Sequence, residues 1–200
     1  MYDIVVSRYR KDVSFASRMN GRVMVYDKET PSNPYNVPVN KGHEASVYLK
    51  HIVDHYDTLA PYTFFIHDEE YAWHHSGSLV DKFDEAVASK AEYYNVNDRC
   101  VNTTHQVIQD LDRRGWRDDF AAWYSEFIEE IAPFSKLDLN EPNRNSAQFL
   151  VHRDVIRKVP KSLYERLYQW IITTSMPNAK SSRFMEWTWH LLFSGTPRQH

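Results

Sequence analysis

The sequence predicts a single α/β domain, because strand-like and helix-like segments alternate along its 200 residues. Short apolar segments contain the β-branched and aromatic residues typical of buried strands, and amphipathic segments with helical spacing lie between and after them. A chain of this length folds as one domain without needing disulfides. We therefore expect residues 1–200 to form one domain, either alone or within a longer protein.

The predicted strands are concentrated in the first third of the chain. Ile4-Val5-Val6 forms the centre of a strand over residues 3–9, and a second strand follows over residues 22–27. The third and most apolar strand covers residues 62–66 and ends directly before a group of acidic residues. A short fourth strand is predicted over residues 147–151. We expect these strands to form a mixed central sheet.

The predicted helices follow and separate these strands. In each of them apolar residues recur every three or four positions, so that one face of the helix can pack against the sheet. They cover residues 44–56, 79–94, 117–131, 160–174 and 182–193. In open α/β sheets, ligands bind at the carboxyl ends of the strands. The polar residues that follow the strands are therefore the candidate site residues, and they lie at positions 7–9, 27–28, 67–70 and 152–154.

Composition excludes several classes of protein. The formal net charge is −3 and the basic residues are scattered, which argues against a nucleic-acid-binding surface. No apolar run approaches the roughly 20 residues that a membrane span needs, and the N-terminus does not resemble a signal peptide. Cys100 is the single cysteine, so no internal disulfide forms. We expect a cytoplasmic protein with no membrane span and no nucleic-acid partner.

An acidic motif directly after the third strand is the most informative feature. Asp68-Glu69-Glu70 places three carboxylates together, and their mutual repulsion is relieved when a cation lies among them. Carboxylate oxygens suit hard cations such as Mg²⁺ and Mn²⁺. Such a cation can neutralise a diphosphate leaving group. The alternative interpretation is a solvated acidic turn.

Two further segments carry candidate chemistry. Residues 40–44 precede a helix, whose N-terminal backbone N–H groups can bind phosphate, although an ordinary loop explains the same residues. Glu186 and His190 are four residues apart and are expected to share one helix face, flanked by Trp187 and Trp189. They could form an acid/base pair or contribute a metal ligand, or they could be a surface pair.

Three blocks of the sequence resemble a family of fungal, algal and viral domains long labelled as of unknown function. The blocks are residues 4–14, the motif Asn40-x-Gly42-x-Glu44-Ala45-x-x-Tyr48-Leu49-x-His51-Ile52, and residues 64–68. Residues 147–153 and the helix with Glu186 and Trp189 also fit, so the resemblance spans nearly the whole chain. Viral members of the family resemble small GT-A glycosyltransferases, including a chlorella-virus glycosyltransferase domain. The resemblance implies a GT-A-like (Rossmann-like) fold and is compatible with a viral protein in the host cytoplasm.

The resemblance also implies roles for individual residues. In GT-A enzymes the loop after the first strand holds the nucleotide base, an acid after the second strand reads uracil, and an acidic motif holds Mn²⁺ or Mg²⁺. The usual motif is Asp-x-Asp, whereas this chain has Asp-Glu-Glu. The implied nucleotide-binding residues are Ser7, Arg8, Tyr9, Asp27 and Lys41; the implied metal ligands are Asp68, Glu70 and His190; and the implied catalytic residue near the acceptor is Glu186. Arg8, Lys41 and Arg183 are the candidates to place positive charge near the leaving group.

These observations predict a metal-dependent glycosyltransferase that moves a sugar from a UDP-sugar donor to a glycan or glycoprotein acceptor. Glu186 would act as a base or as an electrostatic stabiliser, and inversion and retention both stay open. One alternative is a sugar- or nucleotide-binding module without catalysis. Another is a non-haem iron oxygenase that uses His67, Glu69 and His190 as a two-histidine, one-carboxylate triad.

Overall fold

The computed structural model describes residues 1–30 and 32–194, so the last six residues of the predicted domain lie outside the described part. The fold is mixed α/β with a mixed central sheet, which confirms the predicted α/β class. The strands are β1 (Tyr2–Arg8), β2 (Arg22–Asp27), β3 (Tyr62–His67), β4 (Tyr93–Asn95), β5 (Val101–Thr103), β6 (Pro142–Arg144) and β7 (Phe149–His152). The helices are α1 (His43–His55), α2 (Leu79–Ser89), α3 (Thr104–Arg114), α4 (Arg117–Phe127), α5 (Arg153–Ile156), α6 (Lys161–Thr173), α7 (Asn178–Glu186) and α8 (Trp189–Ser194). Two 3₁₀ helices cover Ser14–Arg18 and Phe134–Lys136.

Five strands form the central sheet in the order β2-β1-β3-β7-β4. Strand β1 is parallel to both β2 and β3, whereas β7 is antiparallel to its neighbours β3 and β4. Ser7 lies opposite Tyr26 on one side and His67 on the other. The carboxyl ends of β1, β2 and β3 therefore meet at one edge of the sheet. The second sheet contains only β5 and β6.

The reversed direction of β7 corrects one expectation. Residues 152–154 were expected at the ligand-binding edge because they follow a strand. His152 instead lies opposite Tyr62, the first residue of β3, and the Arg153 N–H donates to the Pro61 carbonyl oxygen. These residues lie at the amino edge of the parallel strands, away from the other candidates.

Alternating residues of the strands bury the two faces of the sheet separately. One apolar cluster includes Val5, Phe65 and Phe149, and the other includes Ile4 and Phe64. This alternation follows from the two-residue period of a strand. The larger cluster is rich in aromatic side chains, which explains most of the high aromatic content. Among the described residues, no helix is long and apolar enough to cross a membrane.

The predicted helix over residues 79–94 is too long. Helix α2 ends at Ser89, and Lys90 adopts a left-handed conformation with φ of 56°, which lets Tyr93 start strand β4. Helix α3 was not predicted, although its capping box of Thr103 and Gln106 was visible in the sequence.

The predicted helix over residues 182–193 is in fact two helices. Helix α7 ends at Glu186 and α8 begins at Trp189, so Glu186 and His190 do not share a helix face. Trp187 and Trp189 are buried in the aromatic core, with exposures of 8% and 0%. The expectation that they flank a shared helix face of Glu186 and His190 is wrong, because the helix is broken there and both rings are used in packing.

Candidate functional site

A polar cavity of about 370 Å³ lies at the carboxyl edge of β1, β2 and β3, a volume within the range of small-molecule sites. The loops after these strands form one part of it, and the first residues of α1 form another. It is the edge at which open α/β sheets bind ligands. The lining residues are Ser7, Tyr9, Lys11, Lys28, Asn40, His43, Glu44, His67, Asp68, Glu69 and Asn178.

The loops after β1 and β3 are joined at this cavity. The Tyr9 backbone N–H donates a 2.6 Å hydrogen bond to Asp68 Oδ2, and Lys11 forms an ion pair with Glu69. The Tyr9 side chain is 41% exposed, so its ring is accessible to a ligand. Of the predicted site residues, Ser7, Tyr9 and Asp68 are therefore brought together.

Glu44 and His67 form a buried polar pair in the cavity wall. Glu44 is only 9% exposed, and its Oε2 lies 3.8 Å from His67 Nε2, beyond hydrogen-bond distance. Glu44 Oε1 and His67 Nε2 have no hydrogen-bond partner among the described residues. Burial lowers the pKa of His67, and the nearby charges of Glu44 and Asp68 only partly oppose this shift. The imidazole is therefore neutral at pH 7.

His74 extends this pair towards the surface. Its ring centroid is 5.2 Å from that of His67 and 4.2 Å from that of Trp73, whose side chain is exposed. Burial is the main cause that lowers the pKa of His74 to about 4, followed by the proximity of the His67 ring. Glu44, His67, His74 and Trp73 thus form a continuous series from the cavity wall to the exterior.

Lysine side chains supply positive charge to the cavity. Lys28 donates to the His43 carbonyl oxygen at the start of α1. Burial lowers the pKa of Lys28 to about 8, against the opposing charges of Glu44 and Asp68. Lys28 and Lys11 face three carboxylates in the lining, those of Glu44, Asp68 and Glu69. An anionic ligand would therefore need additional positive charge to bind here.

Glu186 lies outside the cavity lining but is electrostatically linked to it. Its Oε2 is 3.1 Å from Arg183 Nη1. Burial, followed by repulsion from Glu44, raises the pKa of Glu186 to about 8, and the Arg183 guanidinium does not outweigh these two causes. Glu186 is therefore protonated at pH 7, which does not suit the predicted role of a base that touches the acceptor.

Two predicted nucleotide-binding residues are engaged with each other. Asp27 accepts hydrogen bonds from Arg8 Nη1 at 2.6 Å, the Glu29 N–H at 3.0 Å and Thr30 Oγ1 at 2.8 Å. Burial raises the pKa of Asp27, but these bonds outweigh it and the net shift is downward. Neither Arg8 nor Asp27 lines the cavity, so the structure does not place Asp27 to read uracil.

The three predicted metal ligands are not brought together. Glu70 accepts a 2.6 Å hydrogen bond from Ser78 Oγ and pairs with Arg18, so its carboxylate anchors the start of α2. His190 lines a separate cavity of about 60 Å³, and burial lowers its pKa to about 4. No group of three or more His, Cys, Asp or Glu side chains within residues 1–30 and 32–194 is arranged to hold a metal ion. His67 and Glu69 of the alternative iron triad line the carboxyl-edge cavity, whereas His190 lines a separate one.

Lys41 is likewise used in the fold. Its Nζ donates a 2.8 Å hydrogen bond to the Met176 carbonyl oxygen, which ties the loop before α1 to the loop before α7. Lys28, from the end of β2, is the lysine that faces the cavity instead.

Of the three predicted metal ligands, Asp68 is the one whose position suits binding a divalent cation in the cavity. Its Oδ2 accepts the Tyr9 N–H, and its side chain lines the cavity beside Glu69. Mg²⁺ in phosphate-handling sites is usually held by one or two carboxylates together with substrate phosphates and water, not by a complete protein cage. The residues present therefore fit a metal that arrives with a diphosphate.

The sequence analysis did not assign individual roles to Lys28 and Glu44, and it considered His67 only as an iron ligand. Lys28 and His67 were in the polar groups that follow strands, and Glu44 was in the motif before α1, so each was visible by position. His74 was visible only as one of two consecutive histidines after the acidic motif, and the path of the loop after β3 brings it to the site.

The molecule is a mixed α/β domain with a polar ligand-sized cavity at the carboxyl edge of its parallel strands. The chain belongs to the family described as proteins of unknown function (DUF3431), whose model matches residues 4–200. No curated protein and no solved structure matches the chain.

Proposed function

We propose that this protein is a nucleotide-sugar-dependent glycosyltransferase of the GT-A type that uses a UDP-sugar donor and Mn²⁺ or Mg²⁺. The observation that carries the proposal is the position of Asp68 at the end of the central strand, bonded to Tyr9 and facing Lys28 across the carboxyl-edge cavity. The five-stranded sheet with its single reversed strand is compatible with such a fold. The acceptor would be a glycan or a glycoprotein.

The cavity offers separate places for the nucleotide base and for the diphosphate of the donor. The exposed Tyr9 ring, with the Arg10 guanidinium 4.8 Å from its centroid, is suited to stacking on the nucleotide base. Lys28 lies beside the first residue of α1, where the positive end of the helix dipole also favours phosphate. The diphosphate would therefore lie between Lys28 and Asp68.

The charge balance of the cavity supports metal dependence. Two lysines face three carboxylates, so a diphosphate without a counter-ion would be repelled. When bound, the cation would neutralise charge on the departing nucleoside diphosphate, and Asp68 would hold it. Lys28 and the start of α1 would stabilise the same charge from the opposite side.

Donor hydrolysis by water tests this proposal without knowledge of the acceptor. A panel of UDP-sugars is incubated with the protein and Mn²⁺, and released UDP is measured. We expect turnover with at least one donor and a loss of about 10²-fold or more in Asp68→Asn, because the metal site would be lost. Asp154→Asn, an exposed acid on α5, is the matched control and should retain activity.

Two outcomes would contradict the proposal. Turnover that is the same with chelator as with Mn²⁺ would show that the reaction does not depend on the metal. Equal activity of Asp68→Asn and the wild type would show that Asp68 has no role in turnover. Metal-dependent UDP binding without turnover of any donor would instead favour a non-catalytic nucleotide-binding module.

A further inference from the structure

A row of buried polar atoms without partners lies beside the proposed donor site. Glu44 Oε1, His67 Nε2 and His74 Nδ1 have no hydrogen-bond partner among the described residues. A buried polar atom left without a partner costs roughly 1–3 kcal/mol, so such atoms are rare unless a ligand or water satisfies them. Their grouping places unused hydrogen-bonding capacity in the wall next to the carboxyl-edge cavity.

An exposed tryptophan lies next to this row. The Trp73 ring is 64% exposed and packs on His74 with an interplanar angle of 31°. One face of a large apolar ring is therefore available at the end of a series of unpaired polar atoms. Carbohydrates present an apolar C–H face together with hydroxyl groups, and this combination matches both features.

The two carboxylates near this row have different roles. Glu186 is buried behind the cavity and holds a proton at neutral pH, as burial and the charge of Glu44 together raise its pKa to about 8. Glu44, in contrast, lines the cavity and has an Oε1 without a hydrogen-bond partner among the described residues, so it is the carboxyl group of the two that a ligand in the cavity can contact.

We propose that Glu44 is the catalytic base of the transfer and that the acceptor is a carbohydrate whose ring packs on Trp73. This inference rests on the proposed glycosyltransferase function. The Glu44 carboxylate takes the proton of the acceptor hydroxyl as the hydroxyl oxygen forms a bond to the anomeric carbon of the donor. The bond from that carbon to the β-phosphate oxygen breaks, and its electron pair leaves with UDP. A single displacement of this kind inverts the anomeric configuration.

His67 and His74 would act as hydrogen-bonding groups for the acceptor, because His67 Nε2 and His74 Nδ1 make no hydrogen bond within the described residues. A neutral imidazole can accept or donate one hydrogen bond at each ring nitrogen. They would orient the acceptor, whereas Glu44 would move the proton.

Glu44→Gln separates this inference from the proposed function. The substitution removes the charge with little change in volume, so the variant should bind UDP with Mn²⁺ at least as tightly as the wild type. Turnover of the donor, with water or with a panel of methyl and p-nitrophenyl glycosides as acceptors, should fall by about 10²–10⁴-fold. NMR of the product should show inverted anomeric configuration.

The acceptor platform is tested with Trp73→Ala and, as matched control, Tyr71→Ala. Both side chains are exposed in the same loop, at 64% and 71%, but only Trp73 packs on His74. Trp73→Ala should raise the KM for a glycoside acceptor by about tenfold, equivalent to one lost stacking contact, and leave the donor KM unchanged. Tyr71→Ala should change neither.

Each result has a defined meaning. Full turnover by Glu44→Gln, or a product with retained configuration, would overturn the role of Glu44 and leave the glycosyltransferase proposal intact. A wild type that turns over no donor would overturn both. If Glu44→Gln does not fold, Glu44→Asp keeps the charge but shortens the side chain, and it should bind UDP normally with turnover reduced by at least about tenfold.

Discussion

Two buried carboxylates at opposite ends of the parallel strands differ in how many of their hydrogen bonds are made within the fold. At the amino edge, Asp3 is 1% exposed, and both of its oxygens accept hydrogen bonds from Arg22, at 2.9 and 2.7 Å. At the carboxyl edge, Glu44 is 9% exposed and its Oε1 has no partner in the described part of the chain. The first arrangement is a bidentate ion pair that is complete without a ligand.

This contrast separates structural acids from candidate functional acids. Asp27 and Glu70 belong with Asp3, because their hydrogen bonds and ion pairs are made within the fold. Glu44 and Asp68 retain capacity to bind a ligand. Burial alone therefore does not identify a functional carboxylate. A candidate functional carboxylate is identified by hydrogen-bonding capacity that contacts within the fold do not use.

The largest effect on stability is expected at the amino edge. Asp3→Ala should lower the free energy of unfolding by about 3 kcal/mol, because it removes the carboxylate that accepts two charge-assisted hydrogen bonds from Arg22. UDP binding at a temperature far below the melting point should not change. Urea denaturation followed by circular dichroism measures the first quantity, and calorimetry measures the second. If the variant were fully stable but bound UDP weakly, Asp3 would be a functional acid and not a structural one.

A smaller effect is expected where α1 begins beside the cavity. Gly42 has φ of +66°, and a Cβ there would lie 2.2 Å from Ile171 Cγ1. Gly42→Ala should therefore destabilise the protein by about 2 kcal/mol, from overpacking together with left-handed backbone strain. Gly77 is the matched control, since its φ is +72° but nothing lies within 4 Å of its added Cβ.

Gly77→Ala should cost only the backbone strain, about 1 kcal/mol. The difference between the two alanine variants in urea denaturation then measures the packing of Gly42 on α6. Equal losses would show that α1 does not need this close approach.

The smallest effect is expected in the pH dependence of stability, which reports the protonation state of Glu186. The pKa of Glu186 rises from 4.5 to about 8 on folding, so between these values the folded protein holds a proton that the unfolded chain has lost. The contribution of Glu186 to stability therefore falls as pH rises through this range. Glu186→Gln lacks this contribution.

We expect Glu186→Gln to gain at least about 1 kcal/mol relative to the wild type between pH 5 and pH 8. The buried histidines contribute equally to both proteins, so they cancel in this difference. Unfolding of both proteins is measured across that range. A difference independent of pH would mean that Glu186 is ionised, and it would then be equivalent to the structural acid Asp3.

The sequence predicted site residues correctly where they follow strands whose carboxyl ends meet at one edge of the sheet. Ser7, Tyr9 and Asp68 were predicted at one site because they follow parallel strands, and the structure places them there. The direction of β7 could not be deduced, since an apolar strand pattern does not depend on strand direction. Residues 152–154 were therefore assigned to the wrong edge.

The remaining differences depend on side-chain direction and helix ends. Asp68 and Glu70 are two residues apart, but Asp68 bonds to the loop after β1, whereas Glu70 accepts a hydrogen bond from Ser78, the N-cap residue of α2. The break between α7 and α8 separates Glu186 from His190, and apolar periodicity continues across it. Which neighbouring groups complete a carboxylate is a property of the tertiary fold, so Glu44 could not be distinguished from Glu186 in advance.

The most direct test of the central claim is calorimetric titration of UDP into the wild type with and without Mn²⁺. The carboxyl-edge cavity has more carboxylates than lysines, so we expect binding only when the metal is present. Binding should be abolished by Asp68→Asn and retained by Glu70→Gln, because only Asp68 lines the cavity. UDP binding that is independent of Mn²⁺, or that depends on Glu70 and not on Asp68, would contradict the account.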